Sequence, residues 1–476
     1  MHFPLAPSHD SKIRDQRARR ITLARRDSAR LRDAVRSDPA SGREKGVALV
    51  LAITAIAILA VVLADMHEAT TAAFMVATTE RDQLRAEYMA RSGINLTRLL
   101  VAQEPAIRVA VAPMYQMLTG RPPPMIPVWT FADGILRPFC DYDRNAEEGS
   151  GGLNFGIAEG LGDTGGTCEI VSFGENSRIN INQPLSFSGN RAQTVVAMQT
   201  FGLIGGYLSP SPYDPLFEAA DPDGNFTSRL DLVSALIDWW DLDTDRASFD
   251  PGAGTVTAGG AEDDTYQTLD DPYRARNAPF DSIEELRLVR GVGDDFWATF
   301  VEPDPDDPRS RTVTIYGSGA VNPNEAPPEV LRARVCSIIG LQGFCQDPNQ
   351  AIAFNTLLQT IRSIAPIPWF THPRQFVEFL EGAGGERDLY PMLRGFLGAD
   401  NPLLFTPVTL TPEQRNELDG VLVTAARIIT IQATGHAGRA TVRIRTVMNF
   451  HDRWTPPPPN AGTMPGLGIF YYYRID

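Results

Sequence analysis

The 476-residue sequence has only four cysteines and six histidines, and neither type is spaced to hold zinc. Cys140, Cys168, Cys336 and Cys345 form no CxxC pair, while His2, His9, His67, His372, His436 and His451 are scattered. No phosphate loop, activated Ser or Cys nucleophile motif or metallohydrolase pattern is present. Catalysis therefore has no residue set to rest on, and the chain reads as something other than an enzyme. Basic charge is also scarce outside the amino-terminal head. Residues 1–46 hold twelve Lys and Arg against six Asp and Glu, so a formal net charge of −15 leaves the rest at −21. A body this acidic repels a phosphate backbone and attracts cations, so no nucleic-acid partner is expected. With 43% hydrophobic and 21% charged residues, the chain can fill the cores of about two to four domains.

From Gly46 to Ala64 there is no charge, and from Val47 to Ser92 there is neither Gly nor Pro. The first stretch is apolar enough to cross most of a bilayer, and the sequence beyond Asp65 continues as an amphipathic helix. A secretory signal has a shorter apolar core and a small-residue cleavage site after it. The basic flank keeps the head cytoplasmic and sends the acidic body across the membrane.

Residues 104–134, with six prolines, read as a broken connection after this helix. Strand character follows near 153–182, and helices are expected over 190–208 and over 227–240 with Thr227 as N-cap. A long acidic, Gly-rich loop runs from Asp241 to Pro279. The next helix opens with the capping-box pair Ser282 and Glu285 and ends at Gly291. A further helical block covers about 327–395, and Thr411, Pro412 and Gln414 announce another helix. The tail changes period: 427–450 alternates as a hairpin with Gly435 to Gly438 as its turn, and "LGIFYYYRID" is a last strand. One repeat is visible, Asn180-x-Asn182 and Asn322-x-Asn324, each before a Pro and a helix, with a structural role expected for the four asparagines.

The acidic loop is the candidate ligand site. Asp241, Asp243 and Asp245 alternate, Asp238 lies a turn earlier, and Glu262, Asp263 and Asp264 follow. Clustered carboxylates repel one another unless a cation relieves them, and calcium, with its flexible shell of about 6–8 oxygens, suits them better than magnesium. The spacing is not that of an EF-hand, because Arg246 and Gly252 stand where Gly and Glu are required. The cysteines fall into two sequence-local pairs, Cys140 with Cys168 and Cys336 with Cys345, which are disulfides in an oxidising compartment and buried thiols otherwise. "LRLVRGVGDDF" has the outline of a helix-hairpin-helix, but Asp294 and Asp295 follow its second glycine.

Four stretches carry a family likeness: "LIDWWDLDTD" with the acidic loop, "FDSIEELRLVRGVGDD", "VNPNEAPPEVL" and "IFYYYR". Together with the opening apolar run they resemble the minor pseudopilin K family (GspK) of the type II secretion system, within the type IV pilin-like superfamily. The likeness spans most of residues 43–476. It implies an α+β fold: a pilin-like long helix and an antiparallel sheet, interrupted by a large helical insertion of SAM-like or helix-hairpin-helix-like units.

The domains expected are a basic leader (1–46), an assembly helix (47–100), the first part of the α/β domain (101–185), a two-repeat helical insertion (186–425) and closing strands (426–476). The resemblance also implies cleavage by the prepilin peptidase between Gly46 and Val47, methylation of the new amino terminus, and calcium in the acidic loop. It implies one inner-membrane span and a periplasmic body. The partners it implies are minor pseudopilins of the I, J and H types and the major pseudopilin, at the tip of a pseudopilus that exports folded proteins.

The leader is longer than usual for the family. Position five of the mature chain is Leu51, where ordinary pilins have Glu, and that departure is itself the habit of this family. A buried carboxylate needs a partner, so its replacement by Leu51 suits a subunit at a fibre end. A membrane-anchored DNA-binding protein of the competence type and a minor pilin of a type IV pilus are the alternative readings.

Overall fold

The computed structural model describes residues 44–120, 122–140, 165–182, 190–218, 226–262, 266–268, 271–364, 368–384, 388–399, 401–450 and 466–476. It contains two compact units, Met1–Thr78 and Thr79–Asp476. The described part of the first is helical and belongs to α1 (Glu44–Thr119), with every residue from Val47 to Ala77 exposed. This stretch is long and apolar enough to cross a membrane once.

The second unit is a mixture of helix and sheet. In chain order it holds the rest of α1, then α2 (Ala132–Cys140), β1 (Gly166–Gly174) and β2 (Ile179–Asn180). Next come α3 (Asn190–Leu203), α4 (Asp214–Glu218), α5 (Arg229–Trp240) and the hairpin β3 (Asp245–Asp250) and β4 (Thr255–Ala261). Strand β5 (Val313–Thr314) precedes α6 (Pro328–Ile339), α7 (Pro348–Ile364), α8 (Pro373–Leu380), α9 (Leu389–Leu397) and α10 (Pro412–Val421). Strands β6 (Ile428–Ala437), β7 (Ala440–Asn449) and β8 (Ile469–Ile475) close the chain. The main sheet is antiparallel in the order β1-β6-β7-β8, so strands far apart in sequence enclose the helical insertion.

Ala86, Met89, Ala90, Ile94 and Val101 recur at helical spacing and bury one face of α1 in a core with Ile170, Ile431, Ala433 and Ile444 of the sheet. The helix does not stop at Glu104 as the prolines suggest; it passes Pro105 and Pro113 and ends at Thr119. Each proline removes one backbone donor, and packing at both points holds the helix together. The Glu104 carboxylate, fully buried, accepts from Ile126 N at 2.9 Å, and the Tyr115 hydroxyl donates to Pro368 O at 2.9 Å.

The closing hairpin corrects another expectation. Pairing continues to Ala437 and Ala440, so Gly438 (φ +57°) and Arg439 make the turn and Gly435 lies inside β6. A side chain at Gly435 would collide with the Ala86 carbonyl oxygen and sit 2.8 Å from Ala90 N. The glycine is required by the approach of a helix backbone.

The two Asn-x-Asn segments form one device used twice. Asn180 Oδ1 accepts from Asn182 N at 2.9 Å, and Asn322 Oδ1 accepts from Asn324 N at 3.0 Å. Asn182 then accepts from Phe280 N at 2.8 Å and donates to Phe280 O at 3.1 Å. Asn324 does the same with Phe370, at 2.9 Å and 2.8 Å. Each side-chain amide thus pairs with one peptide unit as a neighbouring strand would. The helix starts agree with the sequence reading to within one residue. Ser228 rather than Thr227 caps α5, accepting from Asp231 N, while Thr411 and Gln414 box α10. Glu285 accepts from Ser282 N at 3.2 Å, but the turn it opens is 3₁₀ and ends at Leu288, short of Gly291.

Glu325 sits where the insertion meets the sheet side. It accepts from Trp129 Nε1 at 3.2 Å and from Asn322 Nδ2 at 2.9 Å. Burial pushes its carboxyl up to about 7, against the pull of Trp129, Arg178 and Arg362.

Two predictions arise here. Gly435→Ala should destabilise the chain by about 1–3 kcal/mol or more, read as a lower Tm of the full chain in detergent; an unchanged Tm contradicts the close crossing. Glu325 binds its proton more tightly folded than unfolded, so its stabilising contribution is complete below about pH 4.5 and disappears as pH rises through about 7. Relative to wild type, Glu325→Gln should therefore gain Tm between pH 5 and pH 8, and parallel pH profiles would contradict this.

Candidate functional site

Helix α5 positions the acidic site. Its inner face carries Val233, Leu236, Ile237 and Trp240 into the core, which fixes Asp238 and the C-cap Asp241 at its end. Asp238 Oδ1 accepts from Ala247 N at 2.6 Å and so ties the helix to β3. Glu262 follows directly after β4, and its N–H donates to Thr244 O at 3.4 Å. The hairpin therefore returns Glu262 to the helix end from which it departed.

Carboxylate oxygens of Asp241, Asp243 and Glu262 lie within 4.8 Å of one another. Asp241 and Glu262 are 5% and 4% exposed, while Asp243 is exposed. Asp241 Oδ2 accepts from Gln193 Nε2 at 2.9 Å, and its Oδ1 has no hydrogen-bond partner although it is buried. Asp243 Oδ1 accepts from Asp245 N at 3.0 Å, and the Asn277 amide donates to the Asp243 carbonyl. Burial, then the charges of Asp243 and Glu262, push the Asp241 carboxyl up to about 7. Asp238 also rises to about 7, through burial first and then Asp241 and Glu262, against the pull of Ala247 N–H and Arg246. Neighbouring like charges at low exposure, with one lone oxygen, make a donor set that a hard cation would relieve.

The six residues expected at this site divide. Asp241, Asp243 and Glu262 converge. Asp245 is not in that group, because it opens β3 opposite Ala261 and faces outward. Asp263 and Asp264 lie outside the described residues. Gln193 and Asn277, missed in the sequence, reach the site from α3 and from the loop before Phe280. Only their amide chemistry marks them, and amides are too common for that to be a signal.

The other expected positions are spread along the chain. Val47 and Leu51 are 60% and 64% exposed on α1, and Gly46 precedes them on the same helix. Cys336 and Cys345 are joined across 5.5 Å between Cα atoms and are fully buried. Cys168 is disulfide-bonded, and the Cys140 side chain lies outside the described residues. At the Gly-x-Gly turn, Arg287 donates to Asp294 at 2.8 Å, so one of the two arginines beside the turn is held by an acid.

Comparison with known proteins places this site in context. Residues 216–300, from α4 through the acidic hairpin to Phe300, match the family described as type II secretion system (T2SS), protein K. The type II secretion system protein K of Pectobacterium carotovorum subsp. carotovorum is 36% identical over 75 residues. That match covers 16% of this chain and 20% of the relative, so the chain spans about a fifth of the curated relative it matches. A solved GspK-GspI-GspJ complex from the type 2 secretion system of enterotoxigenic Escherichia coli is similar at 14% identity and a TM-score of 0.37. It covers 66% of this chain and 80% of that one. The stretch that holds the acidic site, residues 216–300, is thus similar to the type II secretion system protein K family.

Proposed function

We propose that this chain is a minor pseudopilin of a type II secretion system, cut between Gly46 and Val47 and held in the inner membrane by α1. Its body lies in the periplasm and assembles with the I, J and H types of minor pseudopilin on the major pseudopilin, at the tip of the fibre. The observation that carries this reading is the match of residues 216–300 to the protein K family. The exposed apolar stretch of α1 from Val47 supports it as a surface to be covered by lipid or partner helices. Leu51 supports the tip position, since it offers no carboxylate to a neighbour's amino terminus.

The same reading gives calcium to the acidic site, with Asp241, Asp243 and Glu262 as its protein ligands. The cation would neutralise the repulsion around the end of α5 and lock the β3–β4 hairpin to it. Its work is structural: it keeps an acidic loop compact on a subunit that must dock with others.

Two experiments test these claims. Extracted from membranes of cells with active prepilin peptidase, the protein should begin at Val47 and co-purify with the other minor pseudopilins at fixed stoichiometry. A chain that begins at Met1 and purifies alone overturns the assembly reading. Calcium at about 100 times its Kd should stabilise the wild type by about 3 kcal/mol, seen as a Tm several degrees above that in chelator. Asp241→Ala should remove most of that gain, and a wild-type Tm indifferent to both calcium and chelator overturns the metal assignment.

A further inference from the structure

A second site lies in the same unit, where helices of the insertion meet β1. A cavity of about 300 Å³ is walled by the turn before α2, the end of β1, the segment leading into α6 and the end of α7. Pro127, Phe131, Phe173, Pro327 and Pro368 make much of this wall apolar. Its small polar groups are already occupied. The hydroxyls of Thr130, Ser172 and Ser177 donate to the carbonyls of Pro127, Trp129 and Gly174, and the Asn324 amide is paired with Phe370. Arg309, in the same wall, is held by Asp307 at 2.8 Å.

Two ions remain, Arg362 and Glu325, and they form no ion pair with each other. Arg362 is half-buried and, among the described residues, spends only Nη2, which donates to Pro323 O at 2.8 Å. Its other nitrogens are not sealed in the interior, so they open toward the cavity that Arg362 lines. Burial lowers its pKa to about 10, and Glu325 and Glu329 oppose that only through space. Glu325 accepts from Trp129, Asn322 and the Gly174 N–H, all of them neutral donors. A carboxylate has about four acceptor positions, so capacity is left on the cavity side. Each half-buried ion is costly until a direct counterion arrives, and the two signs stand in one apolar wall.

We propose that this cavity binds a zwitterion, a free α-amino acid with an apolar side chain. Arg362 takes the carboxylate, Glu325 takes the ammonium, and the proline and phenylalanine wall takes the side chain. A carboxylate matches the planar fork of a guanidinium, and both contacts are charge-assisted. A simple anion would face Glu325 uncompensated, and a simple cation would face Arg362. Only a ligand that carries both charges relieves both ions. The volume stands at the small end of ligand pockets, which suits a single amino acid rather than a longer peptide. This proposal does not depend on the assembly reading or on calcium.

The test is calorimetric titration of the full chain in detergent at about pH 8, where Glu325 is largely ionised. The probes are L-leucine, L-leucinol, which lacks the carboxylate, and N-acetyl-L-leucine, which lacks the ammonium. Leucine should bind at least about tenfold more tightly than either derivative, because each has lost one charged contact. Glu325→Gln should bring leucine down to the level of N-acetyl-leucine while keeping the preference over leucinol. Arg362→Gln should do the converse, abolishing the preference over leucinol and keeping that over N-acetyl-leucine. A merely structural role for either residue would not erase one preference and spare the other. Should Arg362→Gln fail to fold, Glu325→Gln decides. Equal affinity for leucine and either derivative, no binding of leucine at millimolar concentration, or a Glu325→Gln protein that binds leucine like wild type overturns the proposal.

Discussion

Contact between the backbone of α1 and strand β6 is the constraint on which the second unit depends. It is possible only because the residues at the crossing are small. Gly435 faces the Ala86 carbonyl, and a Cβ at Gly93 would lie 3.2 Å from Ile170 and 3.4 Å from Ala433. With the axis of the helix drawn this close, Met89, Ile94 and Val101 reach fully into the sheet, and the fold gains an apolar face it could not otherwise bury. Strand β1 joins the sheet only by pairing with β6, more than 250 residues away, and α1 packs against both of these strands.

The helical insertion is fastened to this frame by polar groups rather than by a continuous apolar core. Glu175 is buried and accepts from the hydroxyls of Thr314 in β5 and Thr430 in β6. Arg178, 1% exposed, lies 3.6 Å from the Phe173 ring centroid and donates to the carbonyls of Gly174 and Pro308. Such contacts are directional, so they fix how the insertion is set on the sheet; sliding would leave charges buried and unsatisfied. The same logic explains the tension at Asp241, which accepts from Gln193 on one oxygen and has no partner on the other.

Local chemistry was legible in the sequence and long-range chemistry was not. Thr411 and Gln414, the long run from Val47, the alternation around Ile428 and Val442 and the carboxylates at 241, 243 and 262 all act within a few residues or by composition. Pro105 and Pro113 misled because the contacts that hold the helix through them, Ile126 and Pro368, lie elsewhere in the chain. Gly435 misled for the same reason, since its partner is the backbone of α1. Asp245 shares its spacing with Asp241 and Asp243, but the start of a strand turned it outward. Gln193 carries no sequence signal, because it meets Asp241 from a segment 48 residues away in the chain.

The two asparagine clamps are alike in geometry and unlike in the chain they close. Asn182 and Phe280 are 98 residues apart, Asn324 and Phe370 only 46. Closing the longer segment costs about 0.6 kcal/mol more chain entropy, one doubling of length. The acidic hairpin accounts for much of the additional length. The carboxylate-rich hairpin thus also makes the first half of the insertion the harder half to assemble, and leaves the shorter second half as the natural place for ordering to start.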